Sequence, residues 1–161
     1  MLKFPNGRDK VSNDASRLIE QIIRTGASDK RIPVLVLLGT SLSRALAEVF
    51  EGLDSDVLRQ VVVLAGQATP AHWPESLRCI HFSDDELINS DGCLCCALGS
   101  ELPAALSQLF FGVLRRQQEK VGTVVIVTLA NTADALANTL KHAPFLGQRY
   151  KLLVSLPSVV A

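Results

Sequence analysis

Pro33-Val-Leu-Val-Leu-Leu38 is an unbroken apolar run that ends at Gly39. A strand with one face in water alternates apolar and polar residues, whereas a strand covered on both faces can be apolar throughout. The run therefore predicts a central strand buried between two layers. Gln60–Leu64 and Gly122–Thr128 repeat the pattern, and Arg78–Phe82 and Tyr150–Leu156 are further strand candidates. Helical spacing separates them. Leu42, Ala45, Leu46, Val49 and Phe50 recur at three and four residues within Ser41–Glu51. So do Leu102, Leu106, Leu109, Phe110, Val113 and Leu114 within Gly99–Lys120, and Thr132–Lys141 is a further helix candidate. Strands alternating with helices imply an α/β fold, with a mostly parallel sheet of about five strands, helices on both faces and right-handed crossovers.

The chain has 161 residues, enough for one domain with a sizeable core. Residues 31–161 carry the α/β pattern. Residues 1–30 read as a helical extension, with Leu18, Ile19, Ile22 and Ile23 on one stripe of an Asn13–Thr25 helix capped by Ser12 or Asn13. Gly66, Pro70 and Pro74 mark Ala65–Glu75 as a loop. Sixteen basic residues balance sixteen acidic ones, which argues against a nucleic-acid partner. The apolar runs are strand-length and Met1–Arg8 has no apolar signal core, so the expectation is a soluble, cytoplasmic protein with no membrane partner.

Three of the four cysteines crowd into Cys93-Leu-Cys95-Cys96, between the polar turn Asn89-Ser-Asp-Gly92 and a long helix. A disulfide framework would spread its cysteines more widely. Soft thiolates suit zinc or another thiophilic ion, and a nearby metal or helix N-terminus favours the thiolate. Cys93, Cys95 and Cys96 are thus the candidate metal ligands. Tetrahedral zinc needs a fourth, for which Cys79, His81, His72, Asp91 or a second chain are candidates. Packing under a loop and thiol redox chemistry stay open as alternatives for the triplet, and Cys79 fits ordinary packing on its strand.

Ser90-Asp-Gly-Cys-Leu-Cys-Cys-Ala-Leu98 before a long helix resembles the Gly-Cys-x-Cys-Cys signature of the CobW-like metallochaperone branch of the CobW/HypB/UreG P-loop GTPases. Arg31–Gly39 is similar to that family's first strand, Val124–Ala130 to the strand carrying its Glu-Thr-x-Gly segment, and Tyr150–Ala161 to the strand ending in Val-Asp-Ala. The resemblance spans roughly residues 31–161. It implies a P-loop NTPase-like, Rossmann-like sandwich, GTP and magnesium as ligands, and a client metalloprotein, an intact family member or a second copy as partner.

A working phosphate loop needs bare backbone amides around the phosphates, a Lys to neutralise them and a hydroxyl for magnesium. Here Gly39-Thr-Ser-Leu-Ser-Arg-Ala-Leu46 keeps the first glycine, but Arg44 stands at the second, Ala45 at the Lys and Leu46 at the hydroxyl. Gly39, Thr40, Ser41, Ser43 and Arg44 are the candidate remnant, with Ser41 or Ser43 equally suited to capping a helix. Leu64–Thr69 has no acid for magnesium, Val127 stands at the Glu of the fourth strand, and the last motif reads Val159-Val-Ala161. Phosphoryl transfer depends on positioned charge, so a non-hydrolysing relative is expected, with residual GTP binding or weak hydrolysis as the alternative. His72, His81, His142 and the run Asp84-Asp85-Glu86 have ordinary structural readings as surface, strand or helix-end residues.

Overall fold

The computed structural model describes residues 7–25, 31–82, 101–114, 121–129 and 148–157. The Thr132–Lys141 helix, the acidic run 84–86, His142 and Cys93, Cys95 and Cys96 lie outside the described residues. The elements are α1 (Gly7–Thr25), β1 (Ile32–Leu38), α2 (Leu42–Ala45), α3 (Ser55–Leu58), β2 (Val61–Ala65), β3 (Arg78–His81), α4 (Glu101–Leu114), β4 (Thr123–Val127) and β5 (Tyr150–Pro157). A π-helical turn, Leu46–Phe50, continues directly from α2.

The five strands form one all-parallel sheet in the order β3-β2-β4-β1-β5. The apolar runs fall where complete burial is required: Val34–Val36, Val61–Ala65 and Val124–Ile126 are all 0% exposed. Alternate residues feed two cores. Val34, Val36, Val62, Leu64, Val124 and Ile126 pack with Ala105, Leu106 and Leu109 of α4. Leu35, Leu37, Val61, Val63, Val125 and Val127 pack with α1, α2, the π turn and α3. The period of two along each strand thus gives one sheet between two helical layers. Each fully buried Val, Leu or Ile contributes about 1.5–3 kcal/mol of transfer free energy, so these runs favour doubly covered positions.

Two buried hydroxyls are paired, one within the sheet and one between the sheet and a helix. Thr123 donates its hydroxyl to the Pro33 carbonyl at 3.0 Å, inside the β1–β4 pair. Tyr150, 1% exposed, donates its hydroxyl to the Leu106 carbonyl and ties β5 to α4. Burial raises the Tyr150 phenol far above its ordinary range.

Two elements depart from expectation. Helix α1 starts at Gly7, so Ser12 and Asn13 lie within it and are not its cap. A cap-type residue inside a helix is only a mild penalty. Ser41–Glu51 is not one α-helix: the Glu51 N–H bonds back to the Leu46 carbonyl at 2.9 Å, five residues away. The burial of Leu42, Ala45, Leu46, Val49 and Phe50 is compatible with either turn, so periodicity could not distinguish them.

Candidate functional site

In an open parallel sheet, ligands bind at the carboxyl ends of strands whose connections depart in opposite directions. Here β1 is followed by β2, two places to one side, and β4 by β5, two places to the other. The switch point therefore lies between the carboxyl ends of β1 and β4. It holds Gly39, Thr40, Ser41, Ser43 and Arg44, beside Thr128.

Gly39 has φ 62°, a left-handed conformation that turns the chain out of β1 and that a Cβ would strain. Beyond it, the two strands stay joined. The Thr128 N–H donates to the Leu37 carbonyl at 3.1 Å, and the Thr40 N–H donates to the Thr128 carbonyl at 3.0 Å. Thr40 and Thr128 are buried, at 6% and 1% exposure.

The helix start that follows is capped from within the protein. Ser41, in an extended conformation, accepts the Arg44 N–H on its Oγ at 3.2 Å, which is ordinary N-capping. Gln67, from the loop after β2, accepts the Leu42 N–H on its Oε1 at 3.0 Å. The Ala45 N–H donates to the Ser41 carbonyl at 3.0 Å. The amides of Thr40, Leu42, Arg44 and Ala45 are thus committed to protein acceptors. A phosphate held by those amides would have to displace Gln67 and Ser41. The Arg44 side chain is engaged as well: its Nε lies 3.2 Å from Glu48 Oε1, one helical turn on. Ser43 is exposed beside this capped turn.

The other described candidates lie on β3 and in the loop after β2. Cys79 is half-buried on β3 and packs against the core shared with α1 and Trp73. Desolvation pushes its thiol up to about 11, which disfavours the thiolate a metal needs. His81 is exposed at the end of β3, and His72 is exposed in the loop after β2. Trp73 beside it packs edge-on against Phe50, centroids 6.3 Å apart, and donates Nε1–H to the Leu77 carbonyl at 2.7 Å. Among the described residues, no group of three or more His, Cys, Asp and Glu side chains is placed to hold a metal ion. No helix among them is long and apolar enough to cross a membrane.

Gln67 and Glu48 are the residues that sequence reasoning passed over. Glu48 was legible as an i,i+4 partner of Arg44. Gln67 is 25 positions from Leu42 and carries no local signal. Comparison with protein-family models, with curated proteins and with solved structures gives no match.

Proposed function

We propose that this protein is a non-hydrolysing metal- or partner-binding module, related to metallochaperones, in which Cys93, Cys95 and Cys96 bind zinc or another thiophilic ion and the switch-point loop is scaffold. The observation that carries the scaffold half is the occupation of the Leu42 and Arg44 amides by Gln67 and Ser41. It agrees with the chemistry of the loop, where Ala45 and Leu46 replace the charge and hydroxyl that phosphate and magnesium would need. The metal half is supported by the thiol pattern, three soft donors within four residues. The half-buried, desolvated Cys79 thiol is an unfavourable fourth donor, which leaves His72, His81, Asp91 or a thiolate from a client metalloprotein, an intact family member or a second copy as the completing ligand.

Metal content after anaerobic purification tests the reading, together with zinc titration of the wild type and of a Cys93→Ala, Cys95→Ala, Cys96→Ala variant. About one zinc per chain or per dimer is expected, lost in the variant. Unchanged stoichiometry would remove the triplet from the site. Labelled GTP should bind weakly or not at all with or without magnesium, and tight magnesium-dependent binding would overturn the scaffold assignment.

A further inference from the structure

We infer that docking of α1 holds the π turn Leu46–Phe50 in register and, through it, keeps the switch-point loop closed. The inference deepens the scaffold reading and rests on it: the loop is closed conditionally, as long as α1 is seated.

The π turn has a wider, less common hydrogen-bond ring than an α-helix, and such turns persist where surrounding contacts support them. Here the support comes from α1. Ser16 donates its hydroxyl to the Val49 carbonyl at 2.8 Å. Ala15 and Ile19 are 0% exposed and share a core with Val49 and Phe50. Farther along α1, Ile23 rests on the bare backbone of Gly122, where an added Cβ would lie 3.1 Å from Ile23 Cγ1.

The loop after β2 touches both ends of the same helical segment. At the C-terminal end Trp73 packs on Phe50, and at the N-terminal end Gln67 caps Leu42. A return of Leu46–Phe50 to α-helical bonding would rotate Val49 away from Ser16 and Phe50 away from Trp73. That shift would move the loop that carries Gln67. An α and a π register would be discrete packings of one segment, the kind of element that can couple separated contacts. The coupling must also be reciprocal.

Amide hydrogen exchange of the 15N-labelled full chain tests this. Ser16→Ala is expected to accelerate exchange at Leu42 and Arg44, as well as at Glu51, by about fivefold, the factor one neutral hydrogen bond carries. Val125 and Ile126 in the sheet should be unchanged, and Ser16→Thr, which keeps the hydroxyl, should restore protection. Gln67→Ala should in turn accelerate exchange at Ile19 and Ile23 of α1. Acceleration confined to residues 49–53, or spread equally through the sheet, would overturn the coupling, as would an α1 indifferent to Gln67→Ala. Magnesium-dependent GTP binding by the wild type would instead refute the scaffold reading beneath it.

Discussion

Gln67→Ala removes the acceptor that occupies the Leu42 N–H at 3.0 Å. Leu42 is 1% exposed, so its amide has little access to replacement water. Leaving a buried donor unpaired costs about 1–3 kcal/mol. Freeing a long side chain returns up to about 1.5–2 kcal/mol of rotamer entropy, but Gln67 is only partly buried and recovers less than that. The net loss expected is about 1 kcal/mol. For a chain of 161 residues this is a fall of about 2–4 °C in Tm. Gln67→Glu separates the acceptor role from side-chain bulk. Its carboxylate still accepts the amide and adds a negative charge at a helix start, so it should be neutral or stabilising by up to about 1 kcal/mol at low salt. Urea unfolding followed by two probes, to verify two-state behaviour, measures both variants. If Gln67→Glu costs as much as Gln67→Ala, Gln67 does not act as acceptor for Leu42, and the case for a self-capped loop fails with it.

Two further outcomes follow from packing. Leu109→Ala empties a site 1% exposed between α4 and the sheet, and should cost about 2–5 kcal/mol in urea unfolding; a loss below about 1 kcal/mol would mean α4 is not seated there. Gln108→Ala, on the exposed side of the same helix, should stay within about 0.5 kcal/mol. At pH 8 the Cys79 thiol, pushed by burial from its ordinary 9.0 to about 11, holds about a hundredfold less thiolate than an exposed cysteine. Alkylation followed by peptide mass spectrometry should therefore label Cys79 last in the metal-free protein, with its rate rising toward pH 11. The sign for stability is the same: the unfolded thiol ionises first, so the contribution of burial is complete below about pH 9 and fades as pH climbs from there toward about 11. Labelling of Cys79 as fast as an unhindered thiol at pH 8 would contradict its burial.

The sheet was readable because its signal is local and strong. Val34–Val36 and Val124–Val127 can satisfy their backbone and hide every side chain only as doubly covered strands, and the structure pairs them in register, Val34 with Val124. The long helix carrying Leu106 and Leu109 was equally legible from its stripe. Boundaries were less so: α1 extends to Gly7 because nothing between Gly7 and Asn13 opposes a helix strongly enough to end it. The chemistry of the loop after β1 was legible residue by residue, since a Lys is either present in the chain or not.

Residue identity alone thus determined that this chain makes a parallel α/β sheet, that Gly39 turns out of its central strand, and that Ala45 and Leu46 provide neither charge nor hydroxyl for a phosphate and its metal. These properties follow from hydrophobic periodicity and from the chemistry each side chain carries. Only the tertiary structure decided the strand order, the π turn beneath α1, the desolvation of Cys79 and the pairing of Gln67 with Leu42. Each of those depends on groups far apart in the chain being brought within a few ångströms, and hydrogen bonding and desolvation at such range leave no trace in local spacing.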